Sequence, residues 1–205
     1  MTTIDEIMAS APVIPVLTLE RVEDAVPVAE ALVAGGLRIL EVTLRTPAAL
    51  DVIRAMRQVE GAVVGAGTVI SSRLYQEAVD AGSAFAVSPG LTDALAVVAT
   101  EGPIPLLPGV SSASDVMRAL DHGFSRLKFF PATASGGLVA LKALSAVFGN
   151  VKFCPTGGIT LQTAPEWLAQ PSVTCVGGSW LVAAARTADT AEIKARAQAA
   201  AALRA

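Results

Sequence analysis

Charged side chains are scarce in this chain. They make up 16% of its 205 residues, whereas hydrophobic residues make up 53%. The formal net charge is −3, so the chain lacks the basic surface that a nucleic-acid-binding protein needs. A surface with so few charges favours contact with another subunit, because large exposed apolar patches usually mark interaction sites. We therefore expect an oligomer and no nucleic-acid partner.

Cysteine and histidine are almost absent as well. The two cysteines, Cys154 and Cys175, fall in apolar runs, and their spacing matches no metal-binding motif, which predicts reduced, buried thiols. The single histidine, His122, ends a helical pattern just before Gly123 and is interpreted as a surface or capping residue without a catalytic part. The sequence accordingly predicts no metal site.

The chain also lacks a segment suited to crossing a membrane. Its longest uncharged run, residues 167–185, contains Gln170, Pro171, Gly177 and Gly178, which argue against a membrane-spanning helix. The first residues, Met-Thr-Thr-Ile-Asp-Glu, have neither the basic start nor the apolar core of a secretory signal. We expect a cytoplasmic protein with no membrane partner.

The sequence does contain a regular alternation of short apolar runs and helical patterns. The runs predict eight strands, over residues 13–18, 38–45, 62–68, 84–88, 104–108, 126–131, 152–156 and 173–179. The patterns predict a short leading helix over 3–9 and further helices over 22–34, 47–58, 71–81, 92–101, 112–122, 137–148, 161–169 and 189–203. Eight such units predict a compact (β/α)₈ TIM barrel, a single α/β domain over residues 1–205. A doubly wound open sheet is the alternative, but it gives no reason for polar residues inside the strands.

Lys128 is the only one of four lysines that lies inside an apolar strand, in the run Arg-Leu-Lys-Phe-Phe-Pro. An amine in this position is costly unless a site needs it, and desolvation favours its neutral form. A neutral amine can attack a carbonyl and form a Schiff base. The alternative is a lysine that extends to solvent from the strand end, although its apolar neighbours leave no polar outlet on the helix side.

The second predicted strand carries charges on one face. Because side chains alternate along a strand, Glu41, Thr43 and Arg45 point together into the barrel, and the leucines and valine between them point to the helices. Barrel interiors are normally filled by Val, Ile and Leu, and enzymes of this class keep their chemistry near the carboxyl ends of the strands. A purely structural ion pair between Glu41 and Arg45 remains the alternative.

Two glycine pairs follow the last two predicted strands, Gly157-Gly158 and Gly177-Gly178, the second leading into Ser179. The loops after strands seven and eight of a barrel commonly bind phosphate, with help from a helix N-terminus. Glycine lets backbone N–H groups approach the anion closely, although a tight turn also requires glycine. The two pairs together predict a phosphate site.

These residues resemble a known family, the bacterial 2-keto-3-deoxy-6-phosphogluconate (KDPG) aldolases, which are class I, Schiff-base enzymes of the Entner–Doudoroff pathway. The matching motifs run in family order over nearly the whole chain: EVTLRT at 41–46, GAGT at 65–68, SPG at 88–90, KFFP at 128–131, CPTGGI at 154–159 and GGSW at 177–180. The N- and C-terminal helices are the parts least covered by the match.

The resemblance implies a role for each site residue. Lys128 forms the Schiff base with the C2 carbonyl of the keto acid, and Glu41 is the general acid and base. Arg45 and Thr68 hold the pyruvate carboxylate. The substrate pocket is formed by Pro89, Phe130 and Thr156, and the phosphate is received by Gly157, Gly158, Gly178 and Ser179. Family members are homotrimers, and the resemblance implies no metal and no cofactor.

Three other functions remain open from the sequence. A related aldolase would act mainly on 4-hydroxy-2-oxoglutarate or on the 6-phosphogalactonate epimer. A phosphosugar isomerase or epimerase would need the phosphate site but no imine-forming lysine. A non-catalytic barrel would bind phosphorylated ligands only, but an acidic residue inside the barrel argues against it.

Overall fold

The structure, a computed structural model, describes residues 3–182 and 189–203. Its strands are β1 Val13–Leu17, β2 Ile39–Thr43, β3 Val63–Gly67, β4 Ala86–Val87, β5 Leu106–Leu107, β6 Gly109–Val110, β7 Arg126–Phe129, β8 Lys152–Pro155 and β9 Val176–Gly178. Its helices are α1 Ile4–Ala9, α2 Ala25–Ala34, α3 Ala49–Met56, α4 Ser72–Asp80, α5 Asp93–Glu101, α6 Ala113–Asp121, α7 Gly137–Val147, α8 Ala164–Leu168 and α9 Thr190–Ala201, with a 3₁₀ turn, Val22–Asp24, before α2.

All strand pairs are parallel, and the strands of this α/β fold form a half-barrel. Six strands pair in the order β5-β4-β3-β2-β1-β9, and three more pair in the order β6-β7-β8. Two isolated parallel bridges, between Phe153 and Val173 and between Thr156 and Gly177, connect the region of β8 with that of β9. The predicted alternation of strands and helices is therefore confirmed.

Of the predicted fifth strand, residues 104–108, only β5 is present, and a second short strand, β6, follows Pro108 beyond the predicted range. Proline has no backbone N–H to donate to a neighbouring strand, so the ladder is interrupted there. Leu106 and Leu107 before it pair with β4, whereas Gly109 and Val110 after it pair with β7. The Pro108 carbonyl still accepts a hydrogen bond from the Lys128 N–H at 2.8 Å, which ties this interruption to the middle of β7.

Alternation along the strands separates two apolar clusters. The larger cluster lies between strands and helices and contains Leu40 and Val42 of β2 and Leu127 and Phe129 of β7. The smaller cluster gathers the side chains on the opposite strand faces together with two from α1: Ile7, Met8, Ile14, Ile39, Phe85, Val87, Leu107, Cys154 and Cys175. Both cysteines are buried, as predicted.

Helix α1 closes the amino-terminal end of the strands. Ile7 and Met8 are fully buried in the smaller cluster. The helix starts with a capping box formed by Thr3 and Glu6, and Asp5 pairs with Arg126 at the start of β7. The inward-facing side chains of the strands are therefore covered from below by this helix.

His122 and the long uncharged run were each given an interpretation from the sequence. His122 caps the end of α6 and lies 3.2 Å from Asp93, which confirms the capping interpretation. The uncharged run 167–185 is described up to residue 182, and its last three residues lie outside the described part. No helix in residues 3–182 and 189–203 has both the length and the apolar character needed to span a membrane.

Candidate active site

The centre of the candidate site is a buried pair of opposite charges. The Nζ atom of Lys128 lies 3.0 Å from Oε1 and 3.5 Å from Oε2 of Glu41. Only 6% of Lys128 and 3% of Glu41 is exposed. Lys128 belongs to the three-stranded sheet and Glu41 to the six-stranded one, so the two side chains meet across the space between the sheets. The predicted inward orientation of both residues is confirmed.

This pair provides the two groups that imine chemistry needs. An ammonium must lose a proton before it can attack a carbonyl, and a carboxylate at 3.0 Å is close enough to take it. The ring of Phe130 lies beside the amine, with its centroid 5.3 Å from Nζ, and shields it on that side. The site therefore holds a nucleophile, a proton acceptor and an apolar wall.

Arg45 and Thr68 meet at the carboxyl ends of β2 and β3. The Nε–H of Arg45 donates to Oγ1 of Thr68 at 3.2 Å. Arg45 lies two residues beyond β2 and is exposed, so its guanidinium can reach an anion from solvent. Thr68 has a φ of +60°, the only positive value among the described residues other than glycine. Such a conformation is uncommon for a β-branched residue and is found mainly where a site requires it.

Thr156 and the two glycine pairs lie on adjacent chain segments. The parallel bridge between Thr156 and Gly177 sets the loop that starts at Gly157 beside the one that starts at Gly178. Gly158 and Ser179 are exposed, whereas Thr156 and Gly178 are buried. The backbone of Gly157 and Gly158 has φ values of +103° and +77°, which turn this loop back over residues 131–133.

The helix N-terminus expected at this phosphate site is missing from the described part of the chain. Helix α8 begins at Ala164, six residues after Gly158, rather than close behind the glycine pair. After Gly178 the chain forms a turn over residues 180–181. An anion here would be bound by backbone N–H groups and the Ser179 hydroxyl.

Pro89 borders a cavity of about 400 Å³. The cavity reaches β6, the strand that pairs with β7, which carries Lys128. Leu91, Val110 and Asp115 also line it, and neither Lys128 nor Glu41 does. Burial raises the pKa of Asp115, but hydrogen bonds from Ser111 and Ser112 outweigh this and lower it below its usual value.

Two threonines near the pair were not predicted as site residues. The hydroxyl of Thr43 donates to the Leu17 carbonyl at 3.0 Å and lies 2.8 Å from the hydroxyl of Thr18. Thr43 is on the same face of β2 as Glu41, so strand alternation placed it inside, but no sequence signal showed its contact with β1. Residues 3–182 and 189–203 contain no group of three or more side chains that could hold a metal ion.

Comparison with known proteins decides the family. The family model described as "KDPG and KHG aldolase" matches residues 4–196. The chain belongs to this family. Among KDPG and KHG aldolases, the 2-dehydro-3-deoxy-phosphogluconate aldolase of Zymomonas mobilis is 55% identical over 204 residues, which are 100% of this chain and 98% of that protein.

Solved structures of KDPG aldolases have the same fold. The crystal structure of the Zymomonas mobilis ZM4 enzyme with 3-phosphoglycerate has a TM-score of 0.96 and 55% identity, and the match covers 98% of this chain and 95% of that one. The enzyme from Legionella pneumophila, with pyruvate captured as a covalent carbinolamine, has a TM-score of 0.93 and 45% identity, with 96% and 97% coverage. The predicted family is therefore confirmed.

Proposed function

We propose that this chain cleaves 2-dehydro-3-deoxy-6-phosphogluconate reversibly to pyruvate and D-glyceraldehyde 3-phosphate, through a Schiff base on Lys128. Membership of the KDPG and KHG aldolase family and the 55% identity to a 2-dehydro-3-deoxy-phosphogluconate aldolase support a carbon–carbon lyase of this specificity. The observation that carries the proposed mechanism is the 3.0 Å contact between the buried Lys128 amine and the Glu41 carboxylate.

The reaction would begin with imine formation. Glu41 takes a proton from Lys128, and the neutral amine attacks the C2 carbonyl of the keto acid to give a carbinolamine. Glu41, acting through a water molecule, then returns a proton to the C2 hydroxyl, which leaves as water. The product is a positively charged iminium that joins C2 of the substrate to Nζ.

Carbon–carbon cleavage would use the iminium as an electron acceptor. Glu41, again a carboxylate, takes the proton of the C4 hydroxyl, so that the C3–C4 bond breaks, the aldehyde departs and the bonding pair becomes the enamine of pyruvate. Protonation of the enamine carbon, with Glu41 as the acid, restores an iminium, and water then releases pyruvate. Arg45 and Thr68 would hold the substrate carboxylate in place throughout.

The far end of the substrate would lie over the two glycine loops. We assign the phosphate to the N–H groups of Gly157, Gly158 and Gly178 and to Ser179, and the walls of the substrate pocket to Phe130, Pro89 and Thr156. The bridge between Thr156 and Gly177 supports this arrangement, because it places both loops side by side. The matched crystal structure of the Zymomonas mobilis enzyme contains 3-phosphoglycerate, a three-carbon acid that carries a phosphate as the proposed substrate does.

A second substrate, 4-hydroxy-2-oxoglutarate, is favoured by one observation. The matching family model covers both KDPG and KHG aldolases. This substrate lacks a phosphate but has the keto acid that Lys128 and Arg45 would bind. The test is to measure specificity constants for 4-hydroxy-2-oxoglutarate, for 2-dehydro-3-deoxy-6-phosphogluconate and for its galactonate epimer. The value for 2-dehydro-3-deoxy-6-phosphogluconate should be the highest if the glycine loops bind phosphate.

Borohydride reduction in the presence of pyruvate tests the proposed chemistry directly. The iminium between Lys128 and pyruvate should be reduced to a stable secondary amine, which mass spectrometry will locate on the peptide that contains Lys128. Lys152→Ala serves as the matched control, since Lys152 opens β8 and donates to the Pro171 carbonyl away from the pair.

Lys128→Ala should lose both the adduct and turnover while its circular dichroism spectrum remains that of a folded protein. An adduct on another lysine, or turnover retained in this variant, would contradict the assignment. A pyruvate-release assay in EDTA separately tests the expectation that the reaction needs no metal.

Three broader expectations belong to the same proposal. The two sheets together would form one closed (β/α)₈ barrel and one domain, supported by the bridges between β8 and β9 and by the direct succession of β5 and β6.

A homotrimer would cover exposed apolar residues such as Val97 and Met117. The protein would act in the cytoplasm. Sedimentation equilibrium tests the trimer.

A further inference from the structure

Gly67, the last residue of β3, leaves space that the Glu41 side chain occupies. A Cβ built on Gly67 would lie closer than 3.0 Å to Oε1, Cγ and Cδ of Glu41. Real Cβ atoms essentially never make contacts so short. The carboxylate therefore lies directly against the Gly67 backbone, where any other residue would place a carbon.

The backbone itself does not require glycine at this position. Gly67 is not among the described glycines with positive φ, and it pairs in regular parallel register with Thr43. An alanine could therefore adopt the same φ and ψ without strain. Space for the Glu41 carboxylate is the feature that an alanine would remove.

Glu41 has little freedom to move away from an added methyl group. Its side chain is almost fully buried. Lys128 Nζ already lies at hydrogen-bond distance from the carboxylate. A displaced carboxylate would change the distance and angle at which it exchanges a proton with that amine.

We infer that Gly67 is a positioning residue for Glu41. Because Gly67 has no side chain, the Glu41 carboxylate can lie against the β3 backbone, and this position determines the distance and angle at which the carboxylate meets the Lys128 amine. This inference rests on the proposed function, because it assigns Gly67 to the proton transfers of that mechanism. Gly67 supplies no reacting group of its own and acts through Glu41. Displacements of about 1 Å at a catalytic group can cost on the order of 100-fold in rate.

Gly65 offers a matched comparison on the same strand and the same face. A Cβ on Gly65 would also come closer than 3.0 Å to its neighbour, but that neighbour is the ring of Phe85 in the smaller apolar cluster. Gly65→Ala and Gly67→Ala thus add the same methyl group to the same strand. Only the second should act on the carboxylate.

The first experiment compares two steps of the reaction in both variants. Imine formation is followed by borohydride trapping with pyruvate, and proton transfer by exchange of the pyruvate methyl hydrogens in D₂O. In Gly67→Ala, exchange should fall at least tenfold relative to the final yield of trapped adduct at saturating pyruvate, because a displaced Glu41 changes how fast the imine forms but not how much of it is present at equilibrium. In Gly65→Ala the ratio of exchange to trapping should stay within twofold of the wild type, whatever stability is lost.

The second experiment tests the contact without relying on catalysis. The urea midpoint of unfolding is measured for Gly67→Ala in the wild-type background and in a Glu41→Ala background. With Glu41 present, the added methyl should lower the midpoint. With Glu41 truncated, the midpoint should be unchanged or raised, because alanine restricts the unfolded chain more than glycine does.

The two experiments separate the two possible failures. Equal decreases of the midpoint in both backgrounds, or an unchanged ratio of exchange to trapping in Gly67→Ala, would overturn the role of Gly67. Failure of the wild type to trap pyruvate at Lys128 would instead overturn the proposed function, and the urea measurements would still show whether Glu41 occupies the space beside Gly67.

Discussion

At the scale of single residues, the Lys128–Glu41 pair is held where neither charge has access to bulk water. Removing one partner of a buried pair leaves the other charge uncompensated, which typically costs about 3–5 kcal/mol. A protein gains little stability from such a pair in comparison with apolar residues of the same size. Its presence among inward-facing side chains is better explained by chemistry than by folding.

Glu41→Gln removes the charge and keeps the size of the side chain. We expect the imine at Lys128 to form more slowly but still to give a borohydride adduct after long incubation, while pyruvate methyl exchange and overall turnover fall by about 10²–10⁴-fold, the usual contribution of a positioned acid or base. Stopped-flow turnover and exchange in D₂O measure the two effects. Glu77→Gln, at a partly exposed residue of α4 that pairs with Arg73, should leave both rates unchanged. A full rate in Glu41→Gln would remove Glu41 from the mechanism.

Tyr75, the only tyrosine of the chain, allows a spectroscopic measurement at a single residue. Burial raises its pKa above the ordinary value, although the backbone N–H of Ile104 donates to its hydroxyl at 3.3 Å and favours the ionised form. Because the folded state favours the neutral phenol, the resulting stability is complete below about pH 10 and is lost as the pH rises through the raised pKa.

Absorbance at alkaline pH should therefore show Tyr75 ionising above its ordinary value in the folded protein, or together with unfolding. In denaturant the midpoint should return to about 10. A folded protein that titrates at the same midpoint as the denatured one would contradict this expectation.

At the scale of elements, local sequence signals predicted the order of strands and helices more reliably than they predicted where each element ends. Ser71, Thr92 and Ser112 each accept a hydrogen bond from the first turn of the following helix, so their helices start within one residue of the prediction. The split at Pro108 follows from the lack of an N–H in proline, whereas the short α8 depends on tertiary contacts that the sequence does not reveal.

The capping box of α6 provides a test of this local control. Asp115 accepts hydrogen bonds from the backbone N–H groups of Ser111 and Ser112 at 3.0 and 2.9 Å. Asp115→Asn should lower the free energy of unfolding by about 1 kcal/mol at neutral pH, because it removes a negative charge from the helix N-terminus. Urea denaturation measures the difference.

The pH dependence of this difference has a definite sign. The pKa of Asp115 is lowered in the fold, so its contribution is present above the unfolded value and is lost as the pH falls through the folded one. The wild type and Asp115→Asn should therefore converge in acid. Asp121→Asn, at the opposite end of α6, is the control and should not destabilise the protein.

The site could be predicted as far as side-chain alternation along strands allows. Lys128, Glu41 and Thr43 were placed inside because charged or polar residues alternated with apolar ones. The hydrogen bond between Arg45 and Thr68 could not be foreseen, because it depends on a positive φ at a loop residue. The space beside Gly67 was equally hidden, since small residues are compatible with many neighbours.

At the scale of the whole molecule, α1 joins the strands into one unit from below. Ile7→Ala should lower the free energy of unfolding by about 2–5 kcal/mol, because it opens a cavity among side chains contributed by several strands. Ile70→Ala makes the same chemical change at a residue that is 61% exposed, and it should change stability by less than about 0.5 kcal/mol. Similar losses in the two variants would mean that α1 is only loosely attached.

Because α1 covers the amino-terminal ends of the strands, the proposed substrate would reach the Lys128–Glu41 pair from their carboxyl ends. Under the proposed mechanism, the aldehyde lies nearer solvent while pyruvate remains covalently bound to Lys128, so the products must depart in a fixed sequence. Pyruvate, released last, should inhibit competitively against the six-carbon substrate, and glyceraldehyde 3-phosphate should inhibit noncompetitively.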